Sequence, residues 1–136
     1  SGEQRQSCRD LFGSYVQLQS LLYNAQTTAG AGRSLTPDEL RDVLTARPIA
    51  NEALAAAAAW DLIRPEDREG MPEADPSALF RPMADQVGLL LKIGTSPPSS
   101  ADATELAKNY QAADARKYEL AGVCALARLG NPPSRH

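Results

Sequence analysis

Histidine occurs once in this sequence, as the final residue His136. A Ser–His or Cys–His nucleophile arrangement inside the fold is therefore excluded. Lysine is confined to Lys92, Lys108 and Lys117, and the formal net charge is −3. Without a basic excess the chain has no electrostatic footprint for nucleic acid or an anionic membrane surface. Apolar runs are short too. The best, Val87 to Leu91, stops at Lys92, far below the roughly 20 residues that span a bilayer. No membrane span is expected within the chain. The sequence opens on Ser1-Gly2 rather than methionine, so an upstream signal peptide, lipid-attachment cysteine or membrane tether remains compatible with it.

Aromatics make up only 5% of the residues, while hydrophobic residues reach 43%. That is enough for a core, built mostly from Leu, Val and many alanines. At 136 residues one domain is expected. There are two cysteines, Cys8 and Cys124, and their spacing fits no CxxC redox, zinc or haem motif. They are either two buried thiols or one disulfide, and a disulfide would place the protein in an oxidising compartment.

Each cysteine lies on a long amphipathic segment. Cys8 to Ala25 carries Cys8, Leu11, Phe12, Tyr15, Leu18, Leu22 and Ala25 at steps of three and four, a helical stripe close to a heptad seam. Ala103 to Leu129 is its counterpart near the other end, with Ala103, Leu106, Ala107, Tyr110, Ala113, Leu120, Ala121, Cys124 and Ala127 inward. Laid antiparallel with Cys8 facing Cys124, the segments also bring Tyr15 level with Tyr118 and Tyr23 level with Tyr110. This common register favours the bridge.

Between these segments the start and stop signals are explicit. Thr27 to Gly32 ends the first helix in a flexible loop. Thr36-Pro37-Asp38-Glu39 reads as a capping box, with Leu35 and Leu40 placed for a hydrophobic staple. Leu40, Val43 and Leu44 are expected inward, and Pro48 is expected to break or kink this helix. Ile49 to Ile63 then contains the run Ala55 to Ala59, a smooth face suited to close helix approach, followed by Trp60. An acidic loop leads to Asp75-Pro76, a second cap-then-proline start. The next helix presents Leu79, Phe80, Met83, Val87, Leu90 and Leu91, and Pro82 makes it either one kinked helix or a short turn followed by a helix from Pro82. Gly94 stops it, and Ser100 or a close neighbour caps the last helix. The predicted fold is all-α: an antiparallel four- to five-helix bundle over residues 1–130, with 131–136 a flexible C-terminal tail.

The four tyrosines are the foremost candidates for a site. Tyr15, Tyr23, Tyr110 and Tyr118 could line a cleft that holds an aromatic or cationic ligand, or they could simply pack. Trp60 is a further ligand or partner candidate. The acidic loop from Glu66 to Asp75 lacks the alternating ligands and central glycine of a calcium loop and reads as solvated. Gly30 to Ser34 follows a helix and has no Gly-Lys-Ser/Thr, so it is no phosphate cradle. In a helix-turn-helix over Thr36 to Ile63 the second helix would offer the groove alanines, Asn51 and Glu52 and no Arg or Lys until Arg64, which makes it a poor reader. Asp10, Asp61, Asp85 and Asp114 are scattered along the chain and form no recognisable carboxylate pair.

No catalytic residue, metal site or cofactor is therefore expected. The leading expectation is a non-enzymatic exported helical bundle, periplasmic, secreted or at the cell envelope, that acts as an adaptor through protein–protein contacts. Its rival is an extracytoplasmic sensor domain binding a small molecule between the tyrosine-bearing first and last helices. An intracellular helical regulator with free thiols is the third reading.

Overall fold

In a computed structural model the described residues are 2–67 and 75–128, with only the backbone described for 65 and 122–128. Four α-helices account for nearly all of them: α1 (Gly2–Gly30), α2 (Pro37–Asp61), α3 (Pro76–Ile93) and α4 (Ser100–Arg128). A single 3-10 turn, Pro65–Asp67, follows α2. No strand occurs among the described residues.

The buried positions of α1 are Cys8, Leu11, Tyr15, Leu18, Leu22, Ala25 and Ala29. Their spacing alternates between three and four, the seam of a helix that packs at a shallow angle against its neighbours. The helix runs on through Thr27 to Gly30, where the sequence pattern predicts a loop. At its C-terminus Gly32 adopts φ 78°, which glycine enters without steric cost. The Gly32 N–H donates to the Ala29 carbonyl at 2.9 Å and the Arg33 N–H to the Thr28 carbonyl at 3.1 Å. This is a Schellman stop.

α2 begins with the predicted box. The Glu39 N–H donates to Thr36 Oγ1 at 3.1 Å, and the Thr36 N–H donates back to Glu39 Oε1 at 2.9 Å. Thr28 Oγ1 donates to Glu39 Oε2 at 2.7 Å, so the cap also ties α1 to α2. Burial alone would raise the Glu39 pKa. The Thr36 backbone and hydroxyl, the Thr28 hydroxyl and the Arg33 charge outweigh it, holding the carboxyl below its ordinary value. Because the folded value is depressed, this contribution is complete above the ordinary glutamate range near pH 4 and is lost as pH falls through the folded value. We expect Thr36→Ala to cost about 1 kcal/mol in urea unfolding, and Glu39→Gln to flatten the acid limb of stability against pH.

α2 departs from expectation at Pro48. It runs unbroken through this residue, because Val43, Ala46, Ala50, Ala53, Ala57 and Trp60 form one buried stripe spanning the proline on both sides. Pro48 itself is exposed, so the carbonyl it leaves without an intrahelical donor belongs to a solvent-facing turn. Leu44 points out rather than in, and of the run Ala55 to Ala59 only Ala57 is buried. The close-packing face is the spaced set Ala46, Ala50, Ala53 and Ala57 instead.

At Pro82 the single-helix alternative holds: α3 passes through this residue without ending. Asp75 is its N-cap but makes no side-chain cap bond. Asp61, at the end of α2, takes that role by accepting from the Ser77 N–H at 3.3 Å and from the Ser77 hydroxyl. Ser99 caps α4: its Oγ accepts from the Asp102 N–H at 3.1 Å, and its own N–H donates to Asp102 Oδ2 at 3.3 Å.

These closures bring successive helices together as antiparallel neighbours. α1 packs on α2, α2 on α3, α3 on α4 and α4 back on α1, while α1 and α3 meet across the diagonal. The result is a four-helix antiparallel bundle with first and last helices adjacent. Tyr15 anchors its centre. It is fully buried, meets Phe80 edge-on with ring centroids 5.3 Å apart, and donates its hydroxyl to the Ala113 carbonyl at 2.7 Å. Cys8 is also fully buried. The side chain of Cys124, and with it the expected Cys8–Cys124 bridge, lies outside the described residues, as do most of the acidic loop and the predicted tail 131–136.

Candidate functional site in the groove between the terminal helices

The antiparallel seam of α1 and α4 opens near the C-terminal end of α1 into a groove of about 380 Å³, near the lower limit for small-molecule sites. From α1 come Tyr23, Gln26, Thr27 and Gly30. From α4 come Ala103, Leu106, Ala107, Tyr110 and Gln111, and α3 supplies Gln86. The groove exists because the seam is lined by small side chains at Gly30, Ala103 and Ala107, where leucines would fill the space. Tyr23 and Tyr110 stand at its mouth, 61% and 43% exposed, one from each wall. None of the lining side chains is an acid or a base.

Gln86, from α3, lies behind this lining. It is 0% exposed and is the one buried polar side chain among the described residues. Its Nε2 donates to the Leu106 carbonyl at 3.3 Å. That bond fixes the orientation of the carboxamide, since a flip would set oxygen against oxygen. Oε1 is buried with no hydrogen-bond partner among the described residues. An acceptor left without a partner in a core costs about 1–3 kcal/mol.

The expected tyrosine quartet divides. Tyr23 and Tyr110 do meet at one groove, in the antiparallel register read from the sequence. The Tyr15–Tyr118 rung does not form a pair: Tyr15 belongs to the core, while Tyr118 is 67% exposed with Lys117 Nζ 5.3 Å from its ring centroid. Burial pushes the Tyr15 phenol well above its ordinary pKa, with Arg116 opposing and Asp114 adding smaller effects, so it serves as a permanently neutral donor. Trp60 is buried at the end of α2 and offers no surface to a partner. In the acidic segment, Glu66 and Asp67 both pair with Arg64, at 3.1 and 3.4 Å. The charges there are partly neutralised within the segment itself.

Gln86 was the residue missed. It falls on the buried stripe of α3 between Met83 and Leu90, and a polar side chain at a core position is a signal that the sequence does carry. No described helix is long and apolar enough to cross a membrane. Set against known protein families, curated proteins and solved structures, the chain matches none of them.

Proposed function

We propose that this protein is a non-enzymatic, exported helical bundle that binds a small molecule in the α1/α4 groove. The observation that carries the reading is the coincidence of two features in one place: an open groove lined without acid or base, and two exposed tyrosine rings, one from each of its helices. Pockets that orient a ligand combine apolar walls with few fixed polar groups in this way. Export rests on a Cys8–Cys124 disulfide. Its support is the burial of Cys8, the lack of a free cysteine among the described residues, and the packing of α4 along α1.

A thermal-shift screen of a small-molecule library against the wild type and Tyr110→Ala tests the binding reading. A true ligand at one hundred times its Kd should stabilise the wild type by about 2.7 kcal/mol, and Tyr110→Ala should lose most of that shift. Equal shifts in both proteins, or no stabilising compound, would count against the groove. The protein-adaptor reading has its own support in the exposed apolar side chains Val16, Leu44, Leu62 and Tyr118. It predicts binding that is insensitive to Tyr110→Ala.

A further inference from the structure

From Leu11 to Gly32 the chain carries no charged residue, although charged residues make up 23% of the sequence. This stretch is most of α1, and the bundle leaves its outer face uncovered. Val16, Gln17, Ser20, Tyr23, Asn24 and Thr27 recur at steps of three and four on the side opposite the buried seam, and all are exposed. A helix face turned to water normally carries the charges of an amphipathic helix. Here it offers carboxamides, hydroxyls, a valine and a tyrosine ring. Depletion of charge together with an exposed aromatic is the composition of a surface that another protein covers.

We propose that α1 docks on α1 of a second copy of this chain, antiparallel across a two-fold axis near Ser20. In a two-fold interface each residue beside the axis meets its own image, so a charge there would face the same charge. A face without charge along its whole length meets that condition, which a different partner would not impose. The ends are complementary as well. With the axis at Ser20, Arg9 comes level with the end of the partner's α1, which has no basic residue in its last turn and carries the negative end of the helix dipole. The face runs from Gly13 to Gly30, about 26 Å at 1.5 Å per residue. With the flank of α4 beside it, which bears the exposed Tyr110, it is about 20 Å wide at a helix spacing near 10 Å. Two such faces bury on the order of 1,000 Å², the lower end of specific interfaces, so the dimer is weak and reversible. Tyr23 belongs both to this face and to the groove, and the interface therefore borders the groove without depending on it.

Sedimentation equilibrium of the intact protein, from micromolar to millimolar concentration, tests the pairing. The wild type should follow a reversible monomer–dimer equilibrium. Ser20→Glu sets two like charges against each other at the axis and should weaken the dimer by roughly a hundredfold. Ser20 is exposed, so helicity and Tm should stay at the wild-type values. Ser20→Arg should behave in the same way, while an equimolar mixture of the two variants should dimerise at least as tightly as the wild type. A wild type that stays monomeric across the range would overturn the proposal and leave the face to a different partner. A dimer that Ser20→Glu leaves intact, or a mixture that stays monomeric, would overturn it too.

Discussion

Reduction of the folded protein is expected to lower its unfolding free energy by about 4–5 kcal/mol, the largest single effect anticipated for this molecule. A Cys8–Cys124 bridge closes a loop of nearly all 136 residues. Cross-linking a loop on the order of 100 residues removes about 4.7 kcal/mol of chain entropy from the unfolded state. For a domain of this size the loss corresponds to a fall in Tm on the order of 15 °C. Guanidinium unfolding with and without reductant measures it, and Cys8→Ala should reproduce the effect without reductant. Identical unfolding curves under the two conditions would mean that the cysteines are not joined, and the case for export would go with the bridge.

The second large effect concerns Tyr15. Its ring fills the space between α1, α3 and α4, fully buried and edge-on to Phe80. Truncation to alanine leaves a cavity the size of an aromatic ring at the centre of the bundle, and the expected loss is about 3–5 kcal/mol. Tyr15→Phe isolates the hydroxyl. The Ala113 carbonyl that accepts it lies inside α4 and has a helical donor of its own, so losing the 2.7 Å bond should cost only about 1 kcal/mol. Urea unfolding of the pair gives both values. If Tyr15→Phe were as damaging as Tyr15→Ala, the hydroxyl rather than the ring would organise the centre.

The parts of this fold legible in the sequence are those set by a local rule. The seam of α1 from Cys8 to Ala25 is seen in its three-four spacing, with only Phe12 of the expected set left partly exposed. The Thr36–Glu39 box is seen in four consecutive residues. Neither Pro48 nor Pro82 ends its helix, because a helix-interior proline is a local penalty of about 3 kcal/mol and a buried stripe continuing on both sides outweighs it. That continuity is a tertiary fact. Leu44 and the alanine run misled for a related reason: alanine carries little directional signal, so the phase of the α2 stripe is fixed by Val43 and Trp60, seventeen positions apart. The pairing of Tyr23 with Tyr110 follows from the helix register, but the sorting of Tyr15 inward and Tyr118 outward follows from the stripes. Tyr15 lies on the α1 stripe with Leu11 and Leu18. Tyr118 lies off the α4 stripe formed by Leu106, Ala113 and Leu120. Gln86 was recoverable by the same test, had its place on the α3 stripe been weighed.

The groove is the claim on which the functional account turns. The most direct measurement is a set of 1H–15N correlation spectra of the intact protein, titrated with a ligand that stabilises the wild type in the thermal-shift screen. The account predicts that the largest perturbations fall on Tyr23 to Gly30, on Ala103 to Gln111 and on the side-chain amide of Gln86. Perturbations centred on Val16, Leu44 or Tyr118, with the Gln86 side-chain resonances unmoved, would contradict it.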